Sequence, residues 1–221
     1  MTDTLINING DSVQTLDIII TLTILSLIPS ILMLTTCFTR IIIVLSILKN
    51  ALGLQNTPPN MVLVGISLFL TLFIMNPVVT EISEQAYQPY KDGSITQIEA
   101  IEKAEVPMKE FMLKQTKSDT LKMFLDFSGD ELPDVEAEYT TLPMTVVVPA
   151  YITSELKRAF MMGFLIYLPF LIIDLVVSCT LMSMGMMMLP PSMISMPFKI
   201  LLFVLVDGWT KTFSTLIQSF N

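Results

Sequence analysis

The sequence predicts an all-α integral membrane protein, with two apolar helical hairpins and a small acidic helical segment between them. Three observations carry this prediction. Only 14% of the 221 residues are charged and 52% are hydrophobic, whereas roughly a quarter of the residues in soluble domains are charged. Mean hydropathy is +0.69. Apolar runs at residues 18–38, 61–79 and 159–189 reach the roughly 17–25 residues that a spanning helix needs. The net charge of −8 is local: residues 81–141 hold 14 acidic and 6 basic side chains, and the rest of the chain holds 6 of each.

The same composition excludes several function classes. The chain has no histidine, which removes His-based triads and the usual zinc sites. Cys37 and Cys179 both lie in apolar runs and form no disulfide framework. No basic stripe offers a nucleic-acid surface. No carboxylate constellation suggests catalysis, so neither enzyme activity nor a cofactor is expected.

Taken in order, residues 1–17 are a polar N-terminus, expected to be extended or frayed. Asp3, Asp11 and Asp17 stand where a signal peptide would be positive. Either the first apolar helix is its own targeting signal, or a leader has been removed. Residues 18–80 form the first hairpin. Pro29 should kink its first arm, and Pro58-Pro59 stiffen the turn into the second. Arg40 and Lys49 are the only charges of the connection, so the positive-inside rule places it in the cytoplasm and the arm ends outside.

Residues 81–145 are then the acidic segment, facing the periplasm. The spacing of Met108, Phe111 and Met112, then of Leu121, Phe124 and Leu125, predicts two short amphipathic helices. Pro107 suits a first helical turn and Gly129 a stop. Residues 130–138 read as an acidic loop. Two readings stay open: a solvated connector, or one that docks Phe111 and Phe124 into neighbouring subunits.

Residues 146–221 form the second hairpin and a weakly amphipathic tail. Its first long run contains Pro169 and Asp174, with Glu155 in a first-turn position, where a carboxylate suits the helix dipole. An inter-subunit salt bridge is the other reading of Glu155. The run at 193–206 has only 14 residues and carries Lys199, which fits a hairpin buried against protein better than two lipid-facing spans. Asp174 and Lys199 stand on opposite arms, either as a structural ion pair, within one chain or between copies, or with Asp174 as a proton relay.

Between the arms lies LMSMGMMMLPPSMISMP, with seven of the seventeen methionines. Gly185, Pro190 and Pro191 set a turn over residues 184–191. Met186, Met187 and Met188 are flexible and polarizable. They either fill a core or close around something of variable shape.

Two long stretches, FTRIIIVLSILKNALGLQNTPPNMVLVGISLFLTLFIMNP (residues 38–77) and VPAYITSELKRAFMMGFLIYLPFLIIDLVVSCTLMSMGMMMLPPSMISMPFKILLFVLVDGW (residues 148–209), resemble the FliP family of the flagellar type III export gate and its injectisome relatives. The resemblance implies a pore-forming export-gate subunit of the inner membrane and flagellar basal body, in a ring of copies described as a pentamer. FliR-like and FliQ-like proteins would complete the gate, and FlhA-like and FlhB-like proteins would associate with it. Unfolded flagellar subunits would pass through the centre. It also implies that Met186, Met187 and Met188 form a gasket and that Glu155, Asp174 and Lys199 serve subunit contacts. A scaffold whose partners form the conduit, and the equivalent injectisome subunit, are the alternatives. MLPP after the methionines looks more flagellar.

Overall fold

The computed structural model describes residues 6–8, 11–13, 15–54, 56–129, 136–186 and 188–220. The N-terminal residues do not simply fray. β1 (Ile6–Ile8) and β2 (Asp11–Val13) pair antiparallel, with Ile6 opposite Val13. The other regular elements among the described residues are helical.

Helix α1 (Thr15–Thr35) runs through Pro29, and the bend comes later, at Thr36-Cys37, where α2 (Phe38–Ala51) leaves at 69° to Leu25–Thr35. The sharp break in the first arm lies at this helix end, beyond Pro29. The Thr35 and Thr36 hydroxyls donate back to the carbonyls of Ile31 and Leu32, at 2.9 and 2.7 Å. Such back-bonding competes with the regular helix ladder. Beyond the break, α2 buries Phe38, Ile41, Val44, Leu45 and Leu48. This is the spacing of one helical face.

Helix α3 (Asn60–Ile82) continues through a π-helical turn, Ser83–Tyr87, into α4 (Gln88–Lys91). The acidic segment follows with α5 (Gln97–Gln115) and α6 (Ser118–Ser128). Helix α5 begins ten residues before the expected start. Thr96 and Glu99 form a reciprocal capping box there, and Pro107 lies inside the helix. Gly129 closes α6 in the left-handed conformation. Of the expected loop at 130–138, residues 130–135 lie outside the described residues, and a 3-10 turn spans Glu136–Thr141.

Helix α7 (Met144–Ser183) is one helix of 40 residues that absorbs both Pro149 and Pro169. At 1.5 Å per residue it is about 60 Å long, twice the ~30 Å hydrocarbon thickness of a bilayer. Its two halves differ accordingly. Val146, Val147, Ala150, Tyr151, Ser154, Glu155 and Ala159 are buried in the first half, while Phe164, Leu165, Ile172 and Leu175 are exposed in the second. Glu155 lies three turns inside this helix and not in its first turn. Helices α8 (Pro191–Leu205) and α9 (Gly208–Gln218) complete the chain and are bent by 64°.

Helices α2 and α7 form the central pair. They approach closely at Gly163, where an added Cβ would overlap the Ile47 side chain. The first core cluster holds Cys37, Ile41, Val44, Leu45, Ala159, Leu216 and Phe220. A second joins Met112, Leu121 and Leu125 of the acidic lobe to Val147, Ala150 and Tyr151. A third holds Leu48, Ala51, Leu52, Phe170 and Phe203. Among the described residues, Asn60–Lys91 and Met144–Ser183 are long and apolar enough to cross a membrane, and the number rises to four if each bent pair counts as one span. Phe69 and Phe73 of α3, Phe160 and Phe164 of α7, and Phe198 and Leu201 of α8 stand exposed. Apolar surface on this scale marks contact with lipid or other protein.

Candidate functional site

The methionine turn is built by helix-termination chemistry. At the end of α7, the Gly185 N–H donates to the Met182 carbonyl and the Met186 N–H to the Leu181 carbonyl, both at 3.0 Å. This double closure needs a left-handed residue, and Gly185 has φ +76. Pro190 then caps α8 and Pro191 is its first helical residue, where its missing N–H costs nothing. Met186 is 39% exposed and Met188 99%. Met187 lies outside the described residues. The turn thus presents flexible apolar side chains at the tip of the α7–α8 hairpin.

Behind the tip, Asp174 and Lys199 meet within one chain, with Lys199 Nζ 2.6 Å from Asp174 Oδ2. Ser195 Oγ donates to Asp174 Oδ1 at 2.6 Å, and Lys199 Nζ also donates to the Ala51 carbonyl at 3.0 Å. The cation therefore ties α7 and α8 to the C-terminal end of α2, where a positive charge suits the helix dipole. The Lys199 side chain is 6% exposed and that of Asp174 37%. Ser195 escaped the sequence reading. Its signal is the four-residue spacing to Lys199, which places both on one face of α8.

A second polar centre was missed almost entirely. Arg40, fully buried, donates Nε to Glu155 Oε2 at 2.8 Å, and its Nη2 pairs with Glu155 Oε1. Nη1 donates to both the carbonyl and the hydroxyl of Ser219, each at 2.9 Å, and Nη2 to Gln115 Oε1 at 3.1 Å. These bonds use all five donors of a guanidinium. Its carbon lies 3.7 Å from the centroid of the Phe220 ring. Gln115 Oε1 also accepts from Arg158 at 2.8 Å, and Gln115 Nε2 donates to the Phe220 carbonyl at 3.1 Å. One buried cation thus joins α2, α5, α7 and the end of α9.

This arrangement alters two expectations. Glu155 is fully buried and paired inside its own chain, so it offers no free face to a neighbouring copy. The two cations behind the positive-inside assignment are also internal: Arg40 is sequestered as above, and Lys49, 7% exposed, donates to Asn60 Oδ1 at 2.9 Å. Phe111 and Phe124 are half-buried within the chain. Phe111 lies 6.1 Å from the Tyr151 ring and 6.4 Å from the Phe220 ring, and Phe124 packs on the cluster around Tyr151. Among the described residues no group of three or more acidic, Cys or His side chains is placed to hold a metal ion.

The family model for FliP matches residues 21–216. The chain is 52% identical over 207 residues to "Flagellar biosynthetic protein FliP" of Bacillus subtilis (strain 168), covering 94% of this chain and 92% of that one. Its identity to the protein of the same name from Pectobacterium carotovorum subsp. carotovorum is 50%, covering 95% and 79%. To that of Aquifex aeolicus (strain VF5) it is 47%, covering 96% and 88%. An all-α, apolar chain with this extent of similarity belongs to the FliP family.

Proposed function

We propose that this chain is a conduit-forming subunit of the flagellar type III protein-export gate, set in the bacterial inner membrane at the flagellar basal body and carrying no catalysis of its own. The observation that carries the reading is the methionine turn: Met186 and Met188 stand exposed at the tip of a hairpin whose arms are locked behind them. Relatives named as flagellar biosynthetic proteins support the flagellar assignment over an injectisome. In a ring of copies, described as a pentamer for such proteins, the tips would converge on one axis. Met186, Met187 and Met188 would then form a soft apolar seal that excludes ions when closed and deforms around an unfolded flagellar subunit. FliR-like and FliQ-like proteins complete the gate, and FlhA-like and FlhB-like proteins associate with it.

In this reading residues 1–17, 18–80, 81–145 and 146–221 act as N-terminus, first hairpin, periplasmic lobe, and second hairpin with tail. Asp174 and Lys199 keep the arms in register. Glu155 shapes the subunit contact through the α2–α7 pair it holds, and Phe111 and Phe124 lend their remaining exposed edges to it. Serine or alanine at Met186–Met188 is expected to leave assembly intact and raise ion leakage through the membrane. Unchanged conductance in an assembled variant counts against the seal. Cross-linking from Met187→Cys to a stalled export substrate distinguishes a conduit from a scaffold whose partners form the channel.

A further inference from the structure

The C-terminal end of α9 is held differently from an ordinary helix end. The last carbonyls of a helix have no partner within it, and exposed ends fray. Here the Ser219 carbonyl and hydroxyl both accept from Arg40, the Phe220 carbonyl accepts from Gln115, and the Phe220 ring lies under the guanidinium. A buried positive charge at a helix C-terminus also complements the helix dipole. Phe220 is 5% exposed and stacks on Phe111. The clamp is therefore made by α2 and α5, two elements remote in sequence from the segment they hold.

The other end of α9 bears on α8. Trp209 meets Phe203 edge-on, with ring centroids 5.2 Å apart, and Phe203 packs on Phe170. The joint between the two helices leaves little slack. Asp207 has φ 53, a conformation that side chains other than glycine resist, and a Cβ on Gly208 would overlap the Phe203 ring. Helix α8 leads directly from this joint to the methionine turn. It is also held by the Lys199–Asp174 pair, by the Ser195–Asp174 and Lys199–Ala51 hydrogen bonds, and by Phe203 packing on Phe170.

We propose that the Ser219-Phe220 segment is a latch: clamped by Arg40 and Gln115, it fixes α9, and through the Trp209–Phe203 contact it restrains the α8 arm. The latch couples the packed α2–α5–α7 body to the arm that carries the methionine turn. Opening it leaves α8 held by the Asp174–Lys199–Ser195 cluster and the packing of Phe203 on Phe170, while the Arg40–Glu155 pair stays in place.

The test is hydrogen–deuterium exchange on the full complex purified from membranes, comparing the native chain, a chain ending at Gln218, and Phe220→Leu. The leucine keeps an apolar side chain and the main-chain acceptors but removes the ring that lies under Arg40 and stacks on Phe111. With the latch removed, amides of both α9 and α8 are expected to exchange about tenfold faster or more, with the first half of α7 at its native rate. Phe220→Leu should fall between the two. Faster exchange confined to α9, with α8 unchanged, overturns the proposal, because it shows fraying without coupling. Equal acceleration of α7 and α8 also overturns it, because the segment would then be ordinary core. If the shortened chain does not fold, Phe220→Leu decides alone by the same criterion. None of these readouts depends on ion conductance, so the latch and the methionine seal fail separately.

Discussion

Arg40 is fully buried, and its partners lie on α5, α7 and the end of α9. A buried cation that uses every donor is satisfied, but its partners become dependent on it. Arg40→Ala would leave Glu155 buried without its charge partner and strip acceptor contacts from Gln115 and Ser219. The expected loss is about 3–5 kcal/mol of unfolding free energy, measured by denaturant titration in detergent. Arg40→Lys should recover only part of it, because an ammonium has three donors and cannot match the fork of a carboxylate and the Ser219 oxygens together. Tyr151 poses the opposite case. Its hydroxyl is buried and makes no hydrogen bond among the described residues. An unsatisfied buried polar group is destabilising by about 1–3 kcal/mol, so Tyr151→Phe should leave the unfolding midpoint unchanged or raise it. A marked drop would reveal an ordered water on that hydroxyl.

At the scale of elements, helix ends carry most of the local information. Helix α5 starts at a capping box in which Glu99 Oε2 accepts from the Thr96 N–H at 2.7 Å and from its hydroxyl at 3.0 Å. The Thr96 N–H, and then its hydroxyl, hold the Glu99 carboxyl below its ordinary range. A carboxylate with a depressed folded-state value stabilises the fold above its unfolded value, about 4.3, and loses that contribution as pH falls through the lower, folded value. The protection of first-turn amides of α5, relative to their intrinsic exchange rates, should therefore fall as the Glu99 carboxylate is protonated in the native chain. In Glu99→Gln, which keeps an acceptor but does not titrate, that step should be absent. The box was legible in the sequence as Thr96-Gln97-Ile98-Glu99 ahead of a periodic segment, yet Pro107 drew the expected start too far along. A proline inside a helix can be carried when its surroundings hold the flanking turns, and Pro107 is buried. Pro29, Pro149 and Pro169 also lie inside helices, without that burial.

At the scale of the whole molecule, an acidic lobe joins an apolar body through α5, α6 and the first half of α7. This division bears on orientation. Arg40 and Lys49 are internal, and the lobe's concentrated carboxylates favour water on either side of a membrane, so labelling is what assigns the side. In intact spheroplasts, on a Cys179→Ser background, Ile98→Cys in the lobe is expected to react with a membrane-impermeant maleimide and Asn56→Cys in the α2–α3 turn to be protected. Both residues are exposed in this chain, so the reverse pattern would invert the proposed orientation.

What the sequence by itself determined follows from short-range physics. Helical class, apolar runs, the acidic segment and the turn at Gly185 and Pro190-Pro191 all depend on residue type and near-neighbour spacing, which the chain carries openly. The stretches at residues 38–77 and 148–209 sufficed for the family resemblance for the same reason. Only the tertiary structure decided where the charges go. Arg40 and Glu155 are 115 positions apart, and Arg40 and Ser219 are 179 apart. No periodicity links such residues, and each taken alone has a plausible local role, in a loop or in a first turn. Burial reverses those roles. Once α2 and α7 pack, an unpaired charge between them would be too costly, so Arg40, Glu155, Gln115 and Ser219 satisfy one another.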